Sequence, residues 1–192
     1  VVTFASDSKI GVWDVETGKL RHWLFEEKAS PVCIALANDN RLLVAGTSDG
    51  RCIFWDLESG MRLSQAQVLD SPIVRVELDQ SGDRLLVIAS DHQIRLVDVK
   101  QRQPIPLKFG TEAVRWAEFS DDGSKLLVLP AESPAAESPT PNSDDKSIES
   151  PLQNLFIVPI DGGNVTKMTH RSAIVTSHFA QDEDHIVTAL EN

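Results

Sequence analysis

Ser48-Asp49-Gly50-Arg51-Cys52-Ile53-Phe54-Trp55-Asp56-Leu57-Glu58-Ser59-Gly60 is the stretch from which the rest of the chain is read, because it returns on both sides at one interval. Upstream by 42 residues stands Ser6-Asp7-Ser8-Lys9-Ile10-Gly11-Val12-Trp13-Asp14-Val15-Glu16-Thr17-Gly18. Downstream by 42 stands Ser90-Asp91-His92-Gln93-Ile94-Arg95-Leu96-Val97-Asp98-Val99. Each copy opens on a turn and runs into an apolar segment of strand length. A unit this short cannot cover both faces of its own sheet, so a fixed period implies that neighbouring copies stack.

A period in the low forties is the spacing of a four-stranded propeller blade. The pairs Trp13-Asp14 and Trp55-Asp56 are the dipeptide after which WD40 repeats are named. The chain resembles that family over nearly all of its length. The resemblance implies an all-β fold, a β-propeller of four-stranded antiparallel blades, with about four blades' worth present.

Working outward from the quoted stretch, residues 28–69 form one complete blade, with strands at Pro31 to Ala37, Leu42 to Thr47, Arg51 to Leu57 and Met61 to Gln67. Residues 1–27 form a partial blade that lacks its first strand. Gly18, like Gly60, occupies a turn position that calls for positive φ. Residues 70–110 form a diverged blade, in which Val97 precedes Asp98 in place of Trp and Arg102 stands where Gly18 and Gly60 stand. Such a slot needs an apolar β-former more than it needs indole. In the next blade, residues 111–170, Val158 falls 61 residues after Val97 where 42 is expected, so 19 residues are inserted. The surplus lies in 131–152, a Ser-, Pro- and acid-rich stretch expected to be a disordered loop. Residues 171–192 begin a further blade with two strands. Seventeen strands close neither a four- nor a five-bladed ring, so the expectation is a part of a larger propeller of about seven blades. The remaining blades would come from sequence outside these residues or from another chain.

Composition narrows the partners. A net charge of -11 and a pI near 4.8 argue against direct nucleic-acid binding and against an anionic membrane surface, both of which rely on basic patches. No run is apolar and long enough for a membrane-spanning helix. Cys33 and Cys52 fall on the first and third strands of one sheet, about 9 to 10 Å apart at ~4.8 Å per strand, beyond the reach of a disulfide. They are expected to be small buried hydrophobes in an intracellular protein, cytoplasmic or nuclear.

The resemblance also implies a hydrogen-bonded tetrad in each blade, built from a turn Asp, a strand Trp, a hydroxyl and a His. Asp7, Asp49 and Asp91 match the Asp, Trp13 and Trp55 the Trp, Thr47 the hydroxyl, and His170 the His. No blade holds a full set, so turn shaping is the readier role for Asp7, Asp49 and Asp91, while Asp14, Asp56 and Asp98 are structural positions of the repeat. Family partners dock most often on the face carrying the turns between second and third strands. Ser48, His92, Arg115 and Arg171 are the candidate contacts there. Arg75 and Glu77 align with Trp116 and Glu118, and with Thr176 and His178, on the first strands. They either line a binding surface or pair across neighbouring blades, and pairing is the readier reading because buried charges in native structures are mostly paired.

Ser133, Ser138, Thr140 and Ser150 each precede Pro and are minimal sites for a proline-directed kinase, although such dipeptides are common in Ser/Pro-rich disorder. His178, Asp182, Asp184 and His185 are the densest group of metal-ligating residues, and a solvated turn explains them better than a metal set does. Asn164-Val165-Thr166 fits a glycosylation acceptor and has meaning only under secretion. No phosphate loop, nucleophile elbow or zinc-protease motif occurs, and no metal or cofactor is expected. The expected function is a noncatalytic scaffold that binds proteins or peptides within a multiprotein assembly. Two alternatives stay open. One is the sensor portion of a multidomain enzyme such as a kinase or redox protein. The other is a propeller enzyme with a channel site at Arg75, Glu77, Glu118 and His178.

Overall fold

The structure is a computed structural model that describes residues 1–5, 9–25, 30–109, 113–131, 153–180 and 185–190. The described residues form seventeen strands in five antiparallel sheets, each sheet following chain order. The first sheet holds β1 (Val2–Phe4), β2 (Ile10–Trp13) and β3 (Leu20–Leu24). The second holds β4 (Pro31–Leu36), β5 (Leu42–Thr47), β6 (Arg51–Asp56) and β7 (Arg62–Gln67). The third holds β8 (Ile73–Leu78), β9 (Arg84–Ala89), β10 (Ile94–Asp98) and β11 (Gln103–Ile105). The fourth holds β12 (Val114–Phe119), β13 (Lys125–Pro130), β14 (Gln153–Pro159) and β15 (Thr166–His170), and the fifth β16 (Ile174–Phe179) and β17 (Ile186–Leu190). The 131–152 insertion joins β13 to β14, which pair from Lys125↔Pro159 to Val128↔Phe156. Residues 132–152 lie outside the described residues.

Two compact units divide the chain, Val1–Leu107 and Lys108–Asn192. Within the first, the two faces of the second sheet meet different neighbours. Leu43, Ala45, Ile53, Trp55 and Leu57 pack on Ile10, Val12 and Leu24 of the first sheet. Val44, Cys52 and Phe54 pack on Ile73, Val76, Leu85, Val87 and Ala89 of the third. With a sheet against each face, β5 and β6 read as continuous apolar runs, whereas the outer β7 alternates and exposes Arg62, Leu63, Gln65 and Gln67. Burying each large side chain contributes about 1.5–3 kcal/mol, more than a single turn hydrogen bond at about 1 kcal/mol, so stacking outweighs the turns in holding the repeats together. In the second unit Leu127, Leu129, Leu155 and Ile174 form the core, with Trp116, Ile157, Met168, Phe179 and Ile186 around it. Ser177 of β16 is fully buried, and its hydroxyl has no hydrogen-bond partner among the described residues.

Turn chemistry repeats with the sequence. After β2, β6 and β10 the carboxylates of Asp14, Asp56 and Asp98 accept bonds from the backbone N–H of Thr17 (2.9 Å), Ser59 (2.8 Å) and Gln101 (2.7 Å). The same three residues accept through their carbonyls from the N–H groups of Gly18, Gly60 and Arg102. Those donors have φ of 65°, 70° and 58°, so the diverged third repeat keeps the left-handed turn without its glycine. The guanidinium of Arg102 lies 4.3 Å over the Phe54 ring and its Nε donates to Ser64 Oγ at 2.8 Å. Cation–π contact and a hydrogen bond offset the cost of placing a side chain at positive φ.

Both thiols are free, with Cys52 buried and Cys33 half-buried. They flank Gly46, which pairs with Cys33 on one side and Cys52 on the other. Each of the four sheets that has a first strand of full length carries a bulge near its start. Pairing skips one residue there, Val32, Val74, Arg115 or Val175.

Candidate functional site

The turn between second and third strands is built from the residues the sequence singles out. Thr47, fully buried at the end of β5, donates from Oγ1 to Asp49 Oδ1 at 2.6 Å and accepts from Arg51 N–H at 3.0 Å. Asp49 also meets Arg51 at 2.7 Å, and these bonds from Arg51 first and Thr47 second hold its carboxyl below the usual carboxylate range. In the third sheet Asp91 accepts from Ser71 Oγ at 2.7 Å and from Gln93, which lowers its pKa likewise. His92 follows with φ 66°, where Gly50 of the second sheet has φ 83°. Ser48 N–H donates to Ser30 carbonyl and Ser90 N–H to Pro72 carbonyl, binding each turn to the loop that precedes its sheet.

Trp55 is 2% exposed between the first two sheets, whereas Trp13 is half-buried. Trp13 Nε1 donates to Thr3 Oγ1 at 2.7 Å, and its ring meets Trp23 edge to face at 6.1 Å. Thr3 is a hydroxyl partner that the alignment on Thr47 misses, because it stands two residues earlier in its repeat. Alternation along a strand puts both positions on one face, which is the signal that could have found it. Ser71 and Gln67, whose Nε2 donates to the carbonyls of Asp49 and Leu69, also went unread. His170 is the last residue of β15, paired with Gln153, and Arg171 follows it on the surface. Asp7 and the four Ser/Thr-Pro sites, Ser133, Ser138, Thr140 and Ser150, lie outside the described residues.

Polar residues of the first strands bond to each other. In the first unit Arg75 Nη2 meets Glu77 Oε2 at 2.6 Å, a pair within β8. In the second, His178 Nδ1 contacts Glu118 Oε2 at 2.9 Å and His178 Nε2 contacts Thr176 Oγ1 at 3.0 Å. Phe179 N–H adds a bond to Glu118 Oε1, and Trp116 stands edge to face with His178 at 5.6 Å. Arg115 donates to the Ile174 carbonyl. Glu118 and His178 thus couple two sheets, β12 to β16. Among the described residues no group of three or more His, Cys, Asp or Glu could hold a metal ion, and Asp182 and Asp184 lie outside them.

Comparison with known proteins bears on the repeats. The WD40 family, described as WD domain, G-beta repeat, matches residues 18–56, which run from the turn before β3 to the end of β6. The chain is 28% identical over 101 residues to Autophagy-related protein 16 of Arabidopsis thaliana, covering 52% of this chain and 19% of that one. It is 30% identical over 128 residues to the U3 small nucleolar RNA-associated protein 21 homolog of Schizosaccharomyces pombe, covering 65% and 14%. It is 32% identical over 127 residues to human Angio-associated migratory cell protein, covering 64% and 26%. The matches therefore span about a quarter or less of these relatives' length. The chain thus carries a WD40 repeat at residues 18–56, within a series of antiparallel sheets that are four-stranded where complete, the arrangement of β-propeller blades.

Proposed function

We propose that the chain is a noncatalytic scaffold segment that presents its turn loops and first-strand rim to protein or peptide partners within a larger assembly. The observation that carries this reading is how the first-strand polar residues are used. Arg75 is bound to Glu77 within β8, and Glu118 to His178 and to the Phe179 N–H of β16, so the groups that a channel enzyme would aim at a substrate are engaged with the protein itself. Such an arrangement favours a stiff display surface over acid–base chemistry, which needs a group free to exchange a proton with substrate. Relatives whose names describe association, with small nucleolar RNA or with cilia and flagella, fit the same role and an intracellular setting, cytoplasmic or nuclear.

Cross-linking mass spectrometry on the full-length protein at native abundance tests this. Reproducible cross-links from residues of this segment to the same partner protein are expected. Turnover of a substrate that is abolished by Glu118→Gln or Arg75→Gln, with folding intact, would overturn the reading.

A further inference from the structure

The last strands of the first four sheets, β3, β7, β11 and β15, each leave one side of the backbone without a partner strand among the described residues. Such an edge is a template for another strand unless a bulge, a proline or short length breaks it. Three of the four carry a break. Pairing of β3 skips Arg21 and pairing of β7 skips Leu63, each a bulge near the start of the strand. β11 is three residues long, and Pro104 at its centre has no N–H to offer. β15 has no break: its five residues pair with β14 in unshifted register from Gln153↔His170 to Ile157↔Thr166, and none is proline.

The charge at this edge is also unlike that of the chain. Against a net charge of -11, β15 and the residue after it hold Lys167 and Arg171, both exposed, and no Asp or Glu. Neither cation forms an ion pair among the described residues. Lys167 stands opposite Phe156 in the pairing with β14, its Nζ 6.0 Å from the centre of that ring. The acidic residue nearest in sequence, Asp161, is engaged by the Gly163 N–H at 3.0 Å. Lys108 adds a third cation at the turn that leads into β15, where its Nζ donates to the Gly162 carbonyl. Alternation places Lys167 and Thr169 on one face, with Arg171 two residues further on, while Met168 packs on the core from the other.

We propose that the open edge of β15 takes up an extended, acidic segment of a partner protein as a fifth strand of the fourth sheet. This rests on the scaffold reading and adds to its loop and rim contacts one made by the main chain. The unbroken edge selects an extended chain, because the N–H and C=O groups that alternate outward along β15 are satisfied by a strand laid beside it. The cations select an acidic one. Lys167 and Arg171 attract carboxylates spaced four residues apart and, being of one sign, oppose pairing of β15 with the β15 of a second copy.

The test uses the full-length protein and the fluorescein-labelled peptide Thr-Glu-Val-Thr-Val-Glu-Thr, read by fluorescence anisotropy beside two controls, one with Lys in place of each Glu and one with Pro at the central position. The acidic peptide binds and the Lys peptide does not. Pro weakens binding about tenfold, because it removes a main-chain donor and disturbs the pairing. The double variant K167E/R171E, at two exposed positions, weakens the acidic peptide about tenfold and admits the Lys peptide. In wild type, hydrogen exchange of the β15 amides slows when the acidic peptide is added, a readout that needs no variant. Failure of the acidic peptide to bind overturns the proposal, and so does equal binding of the Pro peptide, which would mark charge attraction alone. Unchanged binding by K167E/R171E, protection confined to another strand, or tighter binding of an RNA oligomer does the same. If every β15 amide exchanges slowly in the protein alone, the edge is already filled by its own chain or a second copy, and the proposal falls. The cross-linking experiment separates the two readings. Failure of the peptide arms with partner cross-links still present sinks this edge and leaves the scaffold standing, whereas absence of any partner cross-link in wild type sinks the scaffold itself.

Discussion

Arg102 shows how a repeat survives the loss of a residue it would ordinarily require. Its backbone holds φ 58° where Gly18 and Gly60 hold 65° and 70°, at a cost of about 1–2 kcal/mol for a residue with a Cβ. The side chain offsets this through the Phe54 ring and Ser64. Burial of the guanidinium moves its pKa down, with Asp98 acting in the opposite sense, so the contact is partly desolvated. Two substitutions separate backbone from side chain. Arg102→Ala keeps the strained φ and loses both contacts, and should destabilise by about 1–3 kcal/mol. Arg102→Gly loses the same contacts but removes the strain, so urea denaturation should find it about 1 kcal/mol more stable than the alanine variant. Equal stability for the two would show that φ carries no cost here.

At the scale of elements, the stacking of the second and third sheets turns on a notch. Gly46 sits in β5 between Cys33 and Cys52, and a Cβ built there would lie 2.8 Å from Cys33 Sγ and closer still to the Ile73 side chain. Ile73 of β8 thus fills space that any other residue would occupy, which sets how near β8 comes to β5. Gly46→Ala should cost about 1–3 kcal/mol by overpacking, and Ile73→Val in the same chain should recover part of it. Stability of Gly46→Ala within 0.5 kcal/mol of wild type by denaturant melts would mean the sheets shift freely.

This contact also marks what could be read in advance. Strand positions followed from the period, and the positive-φ turns followed from glycine at fixed offsets. The pairing of Arg75 with Glu77 was within reach, since residues two apart on a strand share a face. Glu118 and His178, 60 residues apart, join β12 to β16, a tie between sheets for which the repeat alignment named the positions but not which of them are partners.

For the molecule as a whole, stability at high pH should depend on two thiols. Burial pushes the Cys33 thiol up from 9.0 to about 11, and burial together with the neighbouring Cys33 pushes Cys52 upward as well. In the unfolded chain both ionise near pH 8.5–9. Between pH 9 and 11 the unfolded state therefore binds fewer protons than the folded one, and stability falls as pH rises through that window. For Cys33 the loss is on the order of 1–2 kcal/mol by pH 11, after allowance for its partial exposure. The chain contains no tyrosine, so no phenol titrates over the same range. Denaturant melts at pH 7.5, 9, 10 and 10.5 should show the wild type losing stability from pH 9 upward. The C33A/C52A variant, less stable at pH 7.5 because it leaves small cavities, should hold its own value to about pH 10, where lysines begin to titrate. If both proteins lose stability along parallel curves, the thiols are not the source. The alkaline limit would then lie with the surface ion pairs, such as Lys100 with Asp83.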